Sequence, residues 1–489
     1  MRRNRSSSPL PVIDIFAGPG GLGEGFEALP PKGRRPGFKV ALSIECDEWA
    51  HKTLELRTFF RQFDKGAVPK AYYNYLLGEI SREELFRLYP KQAQAAASIA
   101  RKAKLGEEKS ETVDKWIKAA LGPAHSTGHW VLVGGPPCQA YSLVGRARRT
   151  RETRESFESD TRHYLYKEYL RILKQHKPAT FVMENVKGIL SATLGGERIF
   201  GKICEDLAAA GYVLHSVTGE PAKDLALSWN PSSFVVRAEC YGIPQTRHRV
   251  FIVGVRRDIE ISVPPTPETG VTGSVQRAIG DLPSLRSRIS KKGQHSTESW
   301  TKARDAGLAL ARQLANTHGS TESRASRKFK KVPTGRSSLK DPKLRVPVNH
   351  EARGHIAEDI TRYAFVSAFA VAEGRSPTLD DFPKPLLPKH RNAVHGADVI
   401  PFADRFRAQL ADRPSSTVTS HISKDGHYYI HPDPQQARSL TVREAARLQT
   451  FPDNYFFEGP RTEQYRQVGN AVPPDLAVKI SAAIAECLR

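Results

Sequence analysis

Little in this chain speaks for a disulfide scaffold or a metal centre. Five cysteines (Cys46, Cys138, Cys204, Cys240 and Cys487) are scattered over 489 residues. They are odd in number and include no CxxC pair, which argues against both a disulfide framework and a zinc site. A reducing cytoplasmic setting fits that usage. Long apolar runs are missing too: no stretch approaches the ~20 residues of a membrane-crossing helix. Residues 1–11 are basic and Ser-rich without an apolar segment, so they read as a loose tail rather than a secretory signal. No internal repeat is found. Acid is also scarce, with 52 Asp and Glu against 74 Lys and Arg, a net charge of +22. An excess of that size points to a polyanionic partner, most often nucleic acid.

From Val12 to about Val255, short apolar runs alternate with amphipathic stretches. Val12–Phe16, Val40–Ile44, Trp130–Val133, Thr180–Met183 and Arg249–Val253 read as strands. Tyr164–Lys174 and Ile199–Ala210 read as helices. Such alternation predicts an α/β fold, a mostly parallel sheet with helices on both faces. Residues 81–128 interrupt the pattern and read as a helical surface insertion. Beyond Asp258, Pro264, Pro265 and Pro267 break regular structure. Between Arg286 and Arg345, 16 Lys and Arg stand against 4 Asp and Glu in a stretch that looks loop-rich. Val418–Ile430 reads as β-like. Thr441–Leu448 reads as a helix with a Thr441/Glu444 capping box, and Asp475–Cys487 as an amphipathic helix.

The chemistry-bearing residues follow strand ends. Asp14-Ile15-Phe16-Ala17-Gly18-Pro19-Gly20-Gly21-Leu22-Gly23 leaves the first strand and should open a helix. Glycines there let a ligand approach the backbone, and helix N–H groups face it. Glu45 ends the next strand, where an acid accepts ribose hydroxyls. No Gly-Lys-Ser/Thr follows the glycines, so the ligand is nucleoside-like rather than a triphosphate. Cys138 closes Val131-Leu132-Val133-Gly134-Gly135-Pro136-Pro137-Cys138, a thiol delivered past a strand end by a stiff turn. Glu184, in Phe181-Val182-Met183-Glu184-Asn185-Val186, sits at the same sheet edge. A carboxyl among apolar strand residues tends to hold its proton and donate. Gln245, Arg247 and Arg249 alternate and should share one strand face, suited to an anionic or carbonyl-rich ligand.

Together these motifs resemble the DNA (cytosine-5) methyltransferase family, bacterial and phage type. Asp14–Gly21 is similar to its cofactor motif, Gly135–Gln139 to its nucleophile motif, Glu184-Asn185-Val186 to its acid motif and Gln245/Arg247/Arg249 to its Gln-x-Arg-x-Arg motif. Arg413–Thr419, Arg443–Pro452 and Gln467–Pro474 are similar to later ones. All appear in family order. Tyr141 stands where Phe is commoner. Gly78-Glu79-Ile80 aligns, beside an insertion, where the family usually has Asp.

The resemblance implies a Rossmann-like methyltransferase sheet from residues 12–257 plus 463–489, following a flexible tail at 1–11. A smaller, inserted, loop-rich target-recognition domain with its hinge would occupy 258–462. It implies S-adenosyl-L-methionine as methyl donor and S-adenosyl-L-homocysteine as product. Asp14, Phe16, Ala17, Gly18, Gly20, Gly21, Leu22, Glu45, Cys46, Glu79, Pro137, Leu165, Asn470 and Val472 would form that pocket, and no metal is needed. Cys138 would attack C6 of a cytosine flipped out of duplex DNA. Glu184 would hold ring N3, Arg249 would sit near O2 or the phosphate, and Arg247 and Gln245 would complete the catalytic set. His390-Arg391-Asn392 is a candidate base reader. A monomer in a prokaryotic cytoplasm, with or without a cognate restriction endonuclease, is expected. A tRNA cytosine-5 methyltransferase and a decayed DNA-binding regulator are the rival readings.

Overall fold

The computed structural model describes residues 8–33, 35–137, 165–194, 197–218, 222–223, 228–259, 269–290, 296–317, 339–388 and 404–488. Cys138, with the segment up to residue 164, lies outside the described residues, as does His390-Arg391-Asn392. The chain folds as two units. One comprises Met1–Gly242, Arg247–Val271 and Ala471–Arg489; the other comprises Ile243–Thr246 and Thr272–Asn470.

The first unit is built on a sheet of β1 (Leu10–Ile15), β2 (Phe38–Glu45), β3 (Ala100–Lys102), β4 (Val131–Gly134), β5 (Thr180–Val186), β6 (Tyr212–His215), β7 (Val235–Arg237) and β8 (His248–Arg256). The strand order is β3-β2-β1-β4-β5-β8-β6, with β7 also on β8. The first five strands run parallel, and β8 runs antiparallel to β5, β6 and β7. Chain direction across the sheet reverses between β1 and β4, the place where open α/β sheets form a ligand crevice beyond their carboxyl ends. Helices α1 (Gly21–Ala28), α2 (Glu48–Phe60), α3 (Ser110–Leu121), α4 (Leu165–His176) and α5 (Ile199–Ala209) connect the strands.

The central strands are buried on both faces, hence their continuous apolar runs: Val12, Ile13, Ile15, Val131, Leu132, Val133, Phe181 and Val182 have no exposure. Helix α2 starts where Asp47 accepts from the Trp49 and Ala50 amides. Residues 81–128 differ from a helix-only surface insertion. Their Ala100–Lys102 is the edge strand β3, and Val113, Ile117 and Leu121 of α3 enter the main core at helical spacing. Only one small residue of β3 faces inward, so it carried no apolar run. The helix Pro474–Cys487 closes this unit against α1. A Cβ added at Gly25 would lie 2.4 Å from both Ala477 Cβ and the Pro474 carbonyl oxygen.

In the second unit, the stretch read as loop-rich contains a 21-residue helix, Thr297–Thr317. Trp300, Ala303, Leu308 and Ala311 turn one face of it inward. It packs on Ala357–Glu373 so closely that a Cβ at Gly307 would meet the Thr361 carbonyl oxygen at 2.2 Å. Small residues, not a broad apolar stripe, make that contact, which is why the periodicity was weak. Val418–Ile430 is not a strand. It forms the 3₁₀ turns Ser420–Ser423 and His427–Tyr429, separated by Gly426 at φ 79°. The capping box is present: Thr441 Oγ1 accepts from the Glu444 amide at 3.1 Å, and Glu444 Oε2 from the Thr441 amide at 2.7 Å. No helix among the described residues is long and apolar enough to cross a membrane.

Candidate active site

After β1 the backbone turns sharply. Phe16, Gly18 and Gly20 have φ of 55°, 56° and 97°. For a bulky residue such as Phe16 that conformation costs on the order of 1–3 kcal/mol and persists only where surroundings enforce it. The surroundings here are hydrogen bonds to β2. The Ala17 amide donates to the Ile44 carbonyl at 3.1 Å. Glu45 Oε2 accepts from the Gly18 amide and Oε1 from the Asp47 amide, each at 2.7 Å. Glu45 is thus oriented by two backbone amides, one on each oxygen, with lone pairs remaining for a further partner. A Cβ at Gly18 would have no heavy atom within 4 Å, so space stands open above the turn. An open glycine turn beside a fixed carboxylate suits a ribose-bearing ligand. Gly21 and Leu22 start α1, and Gly21 meets the Val472 carbonyl, where an added Cβ would come within 2.2 Å. Cys46 is exposed, its thiol pushed up by partial burial and by Glu45.

Beneath the turn, Asp14 is fully buried, and burial raises its pKa to about 7. The Gly23 amide approaches and opposes that shift without closing a well-formed hydrogen bond, Glu45 adds to it, and Arg61 subtracts. Glu24 is buried as well. Burial raises its pKa, but Arg57 (2.6 Å) and Arg61 (2.5 Å) outweigh this and hold it at about 2. This ionic cluster ties α1 to α2.

At the other side of the crevice, β4 ends at Gly134, and Gly135-Pro136-Pro137 runs along the end of β5. A Cβ at Gly135 would lie 2.9 Å from Glu184 Oε2, and Asn185 Nδ2 donates to the Pro136 carbonyl at 3.3 Å. The turn that leads into Cys138 is therefore laid against the Glu184 carboxyl. Glu184 Oε1 lies 3.1 Å from Arg249 Nε on β8. Burial pulls the Arg249 guanidinium below its ordinary value, and Glu184 pulls the other way. Arg249 Nη1 also donates to the His248 carbonyl at 2.9 Å. Arg247 is buried, with its carbonyl accepting from the Ala238 amide at 3.0 Å.

Gln245, Arg247 and Arg249 do not share one continuous strand. Regular pairing breaks at Arg247: Gln245–Thr246 pairs with Ser415–Ser416, while His248 begins β8. Gln245 belongs to the second unit and is fully buried there. Its Nε2 donates to Gln449 Oε1 at 2.9 Å, and its Oε1 accepts from the Val418 amide at 2.7 Å. That geometry fits a structural buckle better than a reacting group. Glu79 lies exposed in the turn after the helix Lys70–Leu76, its amide bonded to the Asn74 carbonyl at 2.8 Å. The strand beside Glu45 is β3, and Lys102 is Glu45's register partner. Leu165 opens α4, and Asn470 ends the helix Arg461–Asn470 of the second unit, exposed. Sequence reasoning passed over Asn185 and Gly135 as site residues, although both stand within the quoted motifs.

A family model described as C-5 cytosine-specific DNA methylase matches residues 103–486. The type II methyltransferase M.Bpa9945I of Bacillus paralicheniformis is 33% identical over 98% of this chain and 99% of its own. The type II methyltransferase M.AgeI of Thalassovita gelatinovora is 27% identical over 97% of this chain and 99% of its own. Among solved structures, a prophage-encoded E. coli protein titled a DNA modification methyltransferase superposes with a TM-score of 0.55 at 19% identity, covering 98% of this chain and 99% of that one. That likeness concerns the fold.

Proposed function

Since the chain belongs to the C-5 cytosine-specific DNA methylase family, we propose that its strand-end residues carry out methylation through a transient covalent bond from Cys138. The activity itself, transfer of a methyl group to cytosine C5 in DNA, follows from that membership. The observation that supports the residue-level reading is the meeting of the Gly135–Pro137 turn with the Glu184–Arg249 pair.

S-Adenosyl-L-methionine, when bound, supplies an electrophilic methyl group. The glycine turn at Phe16–Gly20 and the Glu45 carboxylate would hold its nucleoside. Cytosine C5 and C6 lie inside the duplex stack, so the base must swing out, at a cost of a few kcal/mol offset by the pocket. The Cys138 sulfur forms a bond to C6, and the electrons displaced toward N3 are met by a proton shared with Glu184. That leaves C5 electron-rich enough to take the methyl group. Loss of the C5 proton then restores the double bond and expels the thiolate. Arg249, fixed against Glu184, holds the carboxyl in place and offers donors to the base O2. Only a few per cent of an ordinary thiol is ionised at neutral pH, so a nearby guanidinium would assist Cys138.

The second unit and the +22 charge suit duplex DNA, with binding that weakens steeply as salt rises. The relatives named as type II enzymes favour a place in a restriction-modification system, beside a cognate endonuclease, for a protein acting as a monomer in a prokaryotic cytoplasm. The deciding experiment is Cys138→Ala. It should abolish methyl transfer from labelled cofactor while leaving equilibrium binding of S-adenosyl-L-homocysteine within about twofold. DNA containing 5-fluorocytosine, which lacks the leaving proton, should trap wild-type protein covalently at Cys138. Turnover by the Ala variant would end this reading.

A further inference from the structure

Arg249 is held at two of its three nitrogens. Its Nε lies 3.1 Å from Glu184 Oε1, and its Nη1 donates to the His248 carbonyl at 2.9 Å. A guanidinium carries its donors in one fixed plane, so two pinned nitrogens settle where the third, Nη2, points. One of the two anchors is a backbone carbonyl, and its place depends on what holds His248. His248 opens β8 at the sheet edge where β5 ends, for the next residue, Arg249, pairs with Val186. The last ladder pair on the other side is His248 with Arg237, and regular pairing has already broken at Arg247. The imidazole adds a tether beyond that pair. His248 Nε2 lies 2.7 Å from Glu239 Oε1, in the 3₁₀ turn Ala238–Cys240 that follows β7. An ionised carboxylate only accepts, so Nε2 donates. The other oxygen, Glu239 Oε2, is buried with no partner among the described residues. A buried carboxylate oxygen left unpaired costs stability, so holding the fold together explains this acid poorly.

We infer that Glu239 is a positioning residue for methyl transfer: through His248 it fixes the carbonyl that sets the Arg249 guanidinium, and with it the direction in which Nη2 and the Glu184 carboxyl meet the base. Glu239 has no bond of its own to Arg249 or Glu184 among the described residues; it acts only through the imidazole. What the tether requires is an acceptor at position 239 and a donor at 248, so a neutral amide oxygen can replace the carboxylate. Loosening it leaves the glycine turn and Glu45 as they are, so cofactor binding is untouched. The chemical step slows, because a reacting group out of place by about 1 Å can cost about a hundredfold in rate.

This role rests on those proposed for Glu184 and Arg249, and the experiment keeps the two apart. Single-turnover methyl transfer to duplex DNA by the full chain is measured at saturating cofactor, with S-adenosyl-L-homocysteine binding and thermal midpoint alongside. Glu239→Ala should slow the reaction about five- to twentyfold, with half-saturation by DNA and S-adenosyl-L-homocysteine affinity within about twofold of wild type. His248→Ala should match it, and the two changes together should be no slower than either, as expected of groups acting in one path. Glu239→Gln, which still offers an oxygen to Nε2, should recover at least about half of the wild-type rate. In Arg249→Ala protein, adding Glu239→Ala should change the rate by less than about twofold, because no guanidinium remains to be set, whereas a merely structural contribution would lower it by the same factor in both backgrounds. Equal factors in the two backgrounds overturn the inference, as does an E239A rate within about twofold of wild type while R249A is slow. An R249A protein as fast as the wild type overturns instead the role given to Arg249.

Discussion

Gly135→Ala tests how tightly the nucleophile's turn is fitted to the acid. The added Cβ would stand 2.9 Å from Glu184 Oε2, whereas ordinary contact begins near 3.4 Å. Backbone strain is not at issue: Gly135 is absent from the positive-φ residues, and the extended conformation required before Pro136 suits Ala. The clash falls on the far end of a flexible side chain, so folding stability should hardly change. The carboxyl, however, must withdraw by about 0.5 Å, and Arg249, 3.1 Å from its other oxygen, must follow. Displacements of that order at a reacting group cost about ten- to a hundredfold in rate. The assay is methyl transfer to duplex DNA at saturating cofactor. kcat should fall by that factor, with S-adenosyl-L-homocysteine affinity and thermal midpoint unchanged. Because the fault is lack of room, Glu184→Asp added to G135A should cost less than Glu184→Asp alone, a non-additivity expected of touching residues. A G135A enzyme within twofold of wild-type kcat would refute the argument.

Other expectations follow from buried ionisable groups. Glu24→Gln should destabilise the first unit by about 3 kcal/mol at neutral pH, the equivalent of the depression from 4.5 to about 2. A depressed folded value means this stability is present above pH 4.5 and disappears as pH falls through about 2, so urea melts of wild type and variant should converge in acid. In the second unit, burial lowers His355 to about 3 and His431 to about 4. The unfolded chain takes up those protons first, so stability should be intact above about pH 6.5 and decline toward pH 4 by several kcal/mol. His355→Gln, which can still accept from the Ser439 amide (3.3 Å), should flatten that decline as followed by hydrogen exchange. An unchanged slope would show that His355 does not contribute.

Where sequence reasoning succeeded, the residues had no alternative. Val12–Phe16, Trp130–Val133 and Thr180–Met183 are mainly apolar on both faces, as suits a sheet covered by helices, and all three fall on central strands. Thr441 and Glu444 announced their helix through side-chain chemistry alone. Where it fell short, tertiary partners decided. Ala100-Arg101-Lys102 is a strand because β2 offers it an edge, not because of its own composition. Glu79 was assigned from its alignment, beside an insertion, with the family's Asp; it lies in the turn after the helix Lys70–Leu76, while the strand beside Glu45 is β3. Gln245 and Arg249 alternate correctly, yet each is paired with a different partner strand, a division that no local pattern records. Glu184 was legible as a strand-borne acid, but its guanidinium neighbour comes from a strand that follows far along the chain.

The Gly25–Ala477 contact has a bearing on how the protein is made. The ribosome makes Gly21 and Gly25 long before the surface that covers them, Val472 to Ala477. Domains generally fold as they emerge, N-terminal parts first; here the first helix must wait for the closing one. A nascent or prematurely terminated chain would thus expose the flank of α1, making it a natural substrate for chaperones and proteases. Methylation of DNA would begin only with chains synthesised past Ala477.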